Sequence, residues 1–369
     1  MKTGIVNLPL HGGKAPYWLF EKMERLSREI MLAIVSEMGP MEFIRKISDP
    51  LWFQAFGCVL GFDWHSSGVT TTVCGAIKEA ARNLSEDLGF YVAGGKGAAS
   101  RKTPFEIESC AEKEGRDFSS LVYASKITAK VDSSVLQDGY QLYHHTFFYT
   151  KSGDNWAVIQ QGMNEDTKYA RRYHWISEDI SDFVCEPHKA ICCDKSSEVI
   201  NLAAQESTDS RNIIADISKE KPEKILRDYD GAIENLKNRS NKYSREFFFP
   251  KRHDIYLTDI EKKRLSKILC STYERKPDNF ETLVSMPGVG PKTVRSLALI
   301  SELVYSVPFS IKDPARFGFA HGGKDKIPYP VDSQTYNKSI DILHNALKES
   351  RIGRSDKINA FRRLASFYG

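Results

Sequence analysis

Residues 280–299 read FETLVSMPGVGPKTVRSLAL, and this stretch decides how the C-terminal part of the chain folds. Asp278 precedes it at a position suited to capping a short first helix. Glycines at 288 and 290 permit a tight turn and a close approach of the backbone to another molecule. Pro291 suits the first turn of a second helix, where no N–H is required. The pattern therefore predicts two helices joined by a glycine hairpin.

A hairpin of this kind directs the free N–H groups and the positive end of the second helix at one point, which favours an anion. We expect Val289 to turn inward and hold the two helices together. Contacts from backbone amides and a lysine give affinity for phosphates without reading bases. The residues expected to meet a sugar–phosphate backbone are Gly288, Val289, Gly290, Lys292, Thr293, Arg295 and Lys324. DNA is the expected partner, and RNA is left open as an alternative.

The spelling MPGVGPKT at residues 286–293 resembles the helix-hairpin-helix of DNA repair proteins, and it is similar to the glycosylase superfamily that includes endonuclease III. A turn that carries a catalytic Asp follows the hairpin in that superfamily, and the sequence VDSQ at 331–334 resembles it. The resemblance implies a glycosylase or abasic-site lyase without a cofactor. Lys292 would form a Schiff base at the sugar, and Asp332 would stabilise the developing positive charge.

Two features depart from that superfamily. Lys292 and Asp332 are 40 positions apart, about twice the usual gap in that superfamily. Many of its members have a cysteine cluster after the catalytic Asp, whereas no cysteine follows Cys270 in this sequence. Each residue also has a simpler interpretation. Lys292 could be a point charge that binds a phosphate, and Asp332 could cap the helix that begins at Ser333.

Charge is distributed unevenly along the 369 residues. Residues 219–369 contain 29 Lys and Arg against 19 Asp and Glu, a net charge of +10, whereas residues 1–218 have 23 against 29, a net charge of −6. Because each cation that neutralises a phosphate releases counterions, a polyanion would be drawn to the C-terminal part. An apolar content of 41% is ordinary for a globular protein.

The length favours two domains, because single cores rarely grow beyond roughly 250 to 300 residues. The elements expected first are helices over Tyr17–Met38, Thr70–Leu88 and Phe118–Val131 and a β-hairpin formed by Tyr140–Thr150 and Trp156–Gly162. Strand signals end near Ser207, and only helices are expected afterwards. The predicted fold class is an α+β domain over residues 1–212 followed by an all-α helix-hairpin-helix domain over residues 213–369.

A second place for chemistry is the N-terminal part. The candidate acids and bases there are Asp63, His65, Asp132, His144 and His145. His144 and His145 are consecutive on a predicted strand and should face opposite sides of the sheet. These groups would suit a nuclease, which would use Mg²⁺ or Mn²⁺ if it depends on a metal. Each histidine could instead be an ordinary core residue, and a third hypothesis is a non-catalytic adaptor that binds DNA or RNA.

Paired glycines followed by lysine recur at 12–14, 94–96 and 322–324. Converging backbone N–H groups beside a lysine can hold a phosphate, although a turn with positive φ explains each phrase equally well. The phosphate candidates are His11, Gly12, Gly13, Lys14, Lys96, Arg101 and Lys102.

Seven cysteines are present, and only Cys185, Cys192 and Cys193 cluster, close to His188. Their spacing is too crowded for a standard zinc knuckle, so no metal site is expected there. No stretch approaches the roughly 18 apolar residues of a membrane helix, and the first residues lack a signal-peptide core. We therefore expect a cytoplasmic protein that does not associate with membranes. The sequence does not indicate an oligomeric state.

Over nearly its whole length the chain also resembles a prokaryotic family catalogued only as domain of unknown function 763. The resemblance rests on LPLHGGKAP at 8–16, DPLWFQAFGCVLGFDWHSSG at 49–68, QQGMN at 160–164 and DPARFG at 313–318. It implies no activity.

Overall fold

The computed structural model describes residues 16–62, 67–193, 196–239, 262–315 and 333–368. Its α-helices are α1 Tyr17–Met38, α2 Pro40–Ser48, α3 Pro50–Leu60, α4 Gly68–Ala81, α5 Ser85–Leu88, α6 Ala98–Arg101, α7 Thr103–Glu114, α8 Ser119–Lys130, α9 Thr208–Ile217, α10 Pro222–Arg239, α11 Lys262–Arg275, α12 Phe280–Ser285, α13 Pro291–Leu303, α14 Ser333–Glu349 and α15 Arg354–Tyr368. A π-helical turn, Val131–Val135, continues α8, and single 3-10 turns lie at Ser177–Asp179 and Gln205–Ser207.

The strands form one antiparallel sheet and one small ladder. They are β1 Phe90–Lys96, β2 Leu136–Gln137, β3 Gln141–Thr150, β4 Trp156–Asn164, β5 Tyr169–Ile176, β6 Ala190–Cys192 and β7 Ile200–Asn201. The sheet has the order β1-β3-β4-β5-β6, and β2 pairs with β7. Phe147 pairs with Val158 across β3 and β4, which confirms the β-hairpin expected from the sequence. The chain thus combines many helices with an antiparallel sheet, as predicted.

Each face of the sheet contributes to its own apolar core, because side chains alternate between faces along a strand. Phe148 lies in a core with residues of α1 to α4, α14 and α15. Phe147 and Tyr149 lie in the other core with residues of α8 to α13. Both cores contain residues from either side of position 212. The last described strand, β7, ends at Asn201, near the predicted domain boundary at residue 212. Both apolar cores extend across that boundary.

One helix differs from its predicted bounds. The stretch 70–88 was expected as a single helix, but α4 ends at Ala81 and a separate short helix, α5, begins at Ser85. Asn83 between them has a φ of 65°, a left-handed conformation that interrupts a right-handed helix. Asparagine adopts this conformation more readily than most residues, so the break is encoded locally.

Buried ion pairs attach the segment after α13 to the sheet. Arg171 Nη1 lies 3.0 Å from Asp138 Oδ2, and Arg171 Nη2 lies 2.7 Å from Asp313 Oδ2. All three side chains are at most 1% exposed. Asp313 also accepts hydrogen bonds from the backbone N–H groups of Ser197, at 3.1 Å, and Ala315, at 2.9 Å. One carboxylate therefore joins the sheet to the chain that follows the glycine hairpin.

We predict that Asp313→Asn destabilises the fold. The change removes one of the two charges that compensate a buried guanidinium, and breaking such a pair costs about 3 kcal/mol of unfolding free energy. Chemical denaturation measures the loss. The control is Asp179→Asn, because Asp179 pairs with Lys189 with both side chains more than 40% exposed, and such a pair contributes less than about 1 kcal/mol. Equal losses in the two variants would contradict the structural role of Asp313.

Candidate functional site

Two helices joined by a glycine turn form as the sequence predicts. Helices α12 and α13 flank a turn in which Gly288 has a φ of 86°, the left-handed region that glycine tolerates. Val289 is 1% exposed and packs inward. The first helix is capped by Asn279 rather than by Asp278, since Asn279 Oδ1 accepts from the N–H of Thr282 at 2.8 Å.

The outer rim of the hairpin consists of Gly288 and Lys292, which are exposed, and Gly290, which is half-buried. Among the described residues, the amides of Gly288 and Gly290 have no hydrogen-bond acceptor. Thr293 and Arg295, which were predicted to contact nucleic acid, are 4% and 5% exposed. The solvent-accessible surface of the hairpin therefore includes the two glycines and Lys292 but not Thr293 or Arg295.

Buried polar contacts fix the hairpin against the rest of the protein. Gln137 is fully buried, and its Nε2 donates to the carbonyl oxygens of Ser134 at 2.9 Å and Pro291 at 3.0 Å. Its Oε1 accepts from Arg295 Nε at 2.7 Å. The ammonium group of Lys130 donates to the carbonyl oxygen of Val289. Arg295 thus serves to orient the hairpin.

A cavity of about 550 Å³ lies beside the hairpin, between α8 and the strands β3 and β4. Its lining residues are Ser100, Arg101, Pro104, Tyr123, Ser125, Lys126, Ile127, Ala129, Lys130, Ser133, Leu142, His144, His145, Gln160 and Ser285. The described lining contains three cationic side chains and no carboxylate. Ser285 is the last residue of α12, so the cavity and the hairpin are contiguous. The excess of positive charge favours an anionic ligand.

Four buried polar side chains form a chain at the wall of this cavity. Ser125 Oγ lies 3.0 Å from His145 Nε2, and His145 Nδ1 lies 2.9 Å from Gln160 Oε1. Gln160 Nε2 donates to Asp132 Oδ2 at 2.6 Å. Since this nitrogen points to Asp132, the carbonyl oxygen of Gln160 faces His145 and must accept from Nδ1–H. His145 Nε2 is therefore the unprotonated nitrogen, and it accepts from the Ser125 hydroxyl.

Asp132 is held by two further donors. Trp175 Nε1 lies 3.0 Å from Oδ2, and His188 Nε2 lies 2.5 Å from Oδ1. Burial raises the pKa of Asp132, and His188 and the hydrogen bonds oppose that rise. Burial lowers the pKa of His145 to about 4, so its imidazole is neutral near pH 7.

His144 lies on the other face of β3, as predicted from the alternation of the strand. Its Nε2 is 2.9 Å from Thr146 Oγ1, and the residue is 1% exposed. Burial lowers its pKa to about 3, with further lowering by His145 and Lys96. His144 lines the cavity, but its side chain is not one of the four that form the hydrogen-bonded chain from Ser125 to Asp132.

The glycines at 94 and 95 have a packing role. The Gly94 N–H donates to Glu106 Oε2 at 2.9 Å, so this amide is not available to a phosphate. A Cβ at Gly94 would lie 2.2 Å from the carbonyl oxygen of His145, so glycine is required for close packing of β1 on β3. Lys96, Arg101 and Lys102 are exposed, and of these three only Arg101 lines the cavity.

Several candidates from the sequence lie outside the described residues. They are His11, Gly12, Gly13, Lys14, Asp63, His65, Lys324 and Asp332. The clustered cysteines have separate neighbours: Cys185 Sγ lies 2.9 Å from Gln205 Oε1, and Cys193 Sγ lies 3.2 Å from the Tyr140 hydroxyl. No group of three His, Cys, Asp or Glu side chains suited to a metal occurs within the described part of the chain.

Sequence reasoning missed Ser125, Lys126 and Lys130 as candidate site residues, and it used Gln160 only as part of a resemblance. The available signal was a helical spacing in which Ser125, Ala129 and Ser133 recur every four residues, with lysines beside the first two. Such spacing places all of them on one side of a helix. Their partners on β3 and β4 are distant in sequence, so the pattern alone does not indicate a site.

The depressed pKa of His144 gives a test by pH. Its folded pKa of about 3 lies below the reference value of 6.5. Between pH 6.5 and 5 the unfolded chain therefore binds a proton that the folded state excludes, and stability falls as the pH falls, by up to about 1.4 kcal/mol per pH unit. We predict that His144→Gln reduces this loss, measured by chemical denaturation at pH 7 and pH 5. An identical loss in wild type and variant would contradict the assignment.

In the described part of the chain, none of the helices combines the length and apolar character needed to cross a membrane. Neither a curated protein nor a solved structure matches the chain. The model of the family described as Protein of unknown function (DUF763) matches residues 4–331, which include the hairpin and every residue of the cavity wall. The chain therefore belongs to the DUF763 family.

Proposed function

We propose that this protein binds the sugar–phosphate backbone of nucleic acid, DNA in the first instance, at the glycine hairpin and processes the strand there. The observation that carries the proposal is the rim formed by Gly288, Gly290 and Lys292 at the start of α13. Two amides without protein acceptors among the described residues, an exposed lysine and the positive end of a 13-residue helix lie within residues 288–292. Phosphate oxygens match that arrangement.

The neighbouring cavity supports a strand rather than an isolated phosphate as the ligand. A strand held at the hairpin would pass the cavity at Ser285 and meet the side chains of Lys126 and Arg101. Successive phosphates along a strand can each be neutralised by one cation, and the counterions released make binding dependent on salt. The net charge of +10 over residues 219–369 also attracts a negatively charged strand.

We predict that Gly290→Glu weakens DNA binding by at least tenfold, which corresponds to about 1.4 kcal/mol. Gly290 has a φ of −139°, and beyond its chain neighbours no heavy atom of a described residue lies within 4 Å of the place a Cβ would take, so a side chain fits there without strain. The added carboxylate would repel the phosphate at the hairpin. Fluorescence anisotropy with a labelled oligonucleotide measures the effect.

The matched control for Gly290→Glu is Gly231→Glu. Gly231 is exposed on α10 and also has open space around it, so the variant adds the same charge to the same part of the chain, away from the hairpin. Its affinity should stay within about twofold of wild type. Unchanged affinity in Gly290→Glu, or equal losses in both variants, would overturn the hairpin as the binding site.

For the processing step, the cavity favours hydrolysis of the strand. Ser125, His145 and the three cationic side chains supply a hydroxyl, a neutral base and a positive environment within one cavity. A nuclease with its site among the N-terminal residues is therefore the function that the geometry supports best. Comparing cleavage with and without EDTA tests whether such a nuclease also uses Mg²⁺ or Mn²⁺.

Glycosylase or lyase chemistry is the second candidate. It is favoured by the position of Lys292, which is exposed in the first turn of α13 and would supply the amine for a Schiff base. Its proposed partner, Asp332, lies outside the described residues. In this version of the proposal no cofactor is needed.

Borohydride trapping on DNA with an abasic site separates the two chemistries. If Lys292 is the amine, wild type gives a covalent adduct that Lys292→Gln loses and Lys312→Gln, at an exposed lysine away from the hairpin, retains. If the cavity is the active site, no lysine adduct forms, and His145→Gln lowers cleavage of undamaged strands by about 100-fold or more. Cleavage that survives both substitutions would contradict both assignments.

A further inference from the structure

Ser125 is the one hydroxyl in the described cavity wall that is hydrogen-bonded to an imidazole nitrogen. We propose that Ser125 is a nucleophile that forms a transient covalent bond to the phosphorus of a phosphate diester held in the cavity. The substrate class rests on the proposed function, because the diester would be that of the bound strand. The nucleophilic character of Ser125 rests on the geometry of the cavity wall alone.

The hydrogen-bond directions show why this hydroxyl can be activated. Gln160 fixes the Nδ1–H tautomer of His145, which leaves Nε2 free to take the Ser125 proton at a distance of 3.0 Å. Asp132 fixes Gln160 in turn, at 2.6 Å. A hydroxyl, a base and a group that orients the base are the three parts that nucleophilic catalysis by serine requires. Here a buried amide stands between the base and the carboxylate.

The charges around Ser125 select the substrate. Lys126 is the next residue on α8, and Lys130 and Arg101 also line the cavity. Among the described residues, the one carboxylate within 4.0 Å of these cations is that of Glu108, whose Oε1 lies 4.0 Å from Lys126 Nζ and which does not line the cavity. Cations placed around a reacting phosphorus stabilise the additional negative charge of its equatorial oxygens. A neutral ester, which carries no charge before it reacts, would not be attracted into the cavity by these cations.

The reaction proceeds in two balanced steps. In the first, the bond between Ser125 Oγ and phosphorus forms while the bond between phosphorus and one sugar oxygen breaks. The proton of Ser125 passes to His145 Nε2 and reaches the departing sugar oxygen through water in the cavity. In the second, a water molecule gives a proton to His145, its oxygen bonds to phosphorus, the Oγ–phosphorus bond breaks, and Ser125 recovers its proton. The net reaction is hydrolysis of a diester to a monoester and an alcohol.

Ser125 and His145 are catalytic residues in this scheme, since both touch the reacting atoms. Gln160 and Asp132 are positioning residues that act through His145. Asp132 also contacts His188, which lines a separate cavity of about 440 Å³, and this contact holds the carboxylate from its far side.

The first experiment treats the full-length protein with an alkyl fluorophosphonate. A hydroxyl activated by His145 displaces fluoride and becomes phosphonylated, and peptide mass spectrometry locates the adduct. We expect the adduct on Ser125, none in Ser125→Ala, and labelling slowed by about 100-fold or more in His145→Gln. Ser133→Ala is the matched control, because Ser133 lines the same cavity and has no contact with an imidazole. An unlabelled Ser125 would overturn the proposal.

The role of Gln160 is tested by comparing two substitutions. Gln160→Leu removes the acceptor for His145 Nδ1 and should slow labelling by up to the roughly 100-fold expected for His145→Gln. Gln160→Glu restores an acceptor oxygen, and its second oxygen can be protonated and donate to Asp132, so labelling should recover in part. A merely structural role would predict the opposite order, because burying a second carboxyl beside Asp132 disturbs packing more than leucine does. That opposite order would remove Gln160 from the mechanism.

Separate assays measure the substrate class and the binding of a strand. Bis(4-nitrophenyl) phosphate should be hydrolysed by wild type and about 1000-fold more slowly by Ser125→Ala. A larger rate acceleration over the uncatalysed reaction for 4-nitrophenyl acetate than for the diester would overturn the phosphorus substrate while leaving the nucleophile. Gly290→Glu should lose DNA binding and keep its fluorophosphonate adduct. Labelling of Ser125 in a protein that binds no DNA would refute the proposed function alone, and DNA binding without labelling would refute the nucleophile alone.

Discussion

The buried amide of Gln137 is the contact on which the arrangement of the site depends. It is fully buried, and its two donors and its acceptor connect the π-helical turn, the start of α13 and Arg295. A buried amide has few ways to satisfy all its hydrogen bonds, and leaving one unmade costs about 1 to 3 kcal/mol. The hairpin is therefore held in one orientation beside the cavity. Together with the contact from Lys130 to Val289, this constraint fixes the hairpin relative to the Ser125 hydroxyl.

The π-helical turn has a second consequence. It inserts Val131–Val135 between α8 and β2, and it carries Asp132 into the core and Ser133 to the cavity. Turns of this kind often occur at functional sites, because they redirect side chains that a regular helix would place elsewhere. One irregular segment thus supplies Asp132, which accepts from Gln160, and also Ser133, which lines the cavity. The same segment leads directly to Gln137.

Features that depend on nearby residues could be predicted from the sequence. The glycine hairpin, the inward turn of Val289, helix α1 and the opposed faces of His144 and His145 all follow from local spacing and were found as expected. The features that were missed depend on pairs distant in sequence. Ser125 contacts His145 only because α8 packs on β3. Arg295 donates to the side-chain oxygen of Gln137, which is 158 positions away in the sequence. The spacing of residues in the sequence shows on which face of an element a side chain lies, but not which distant residue it contacts.

The central claim is that the hairpin and the cavity form one continuous nucleic-acid surface. Hydrogen–deuterium exchange with and without a single-stranded oligonucleotide tests it most directly, because amides that bind a phosphate and helix faces that are covered exchange more slowly. The account predicts added protection in two separate peptides, one spanning residues 286–293 and one spanning residues 123–133. Protection confined to other parts of the chain, or absent at saturating oligonucleotide, would contradict it.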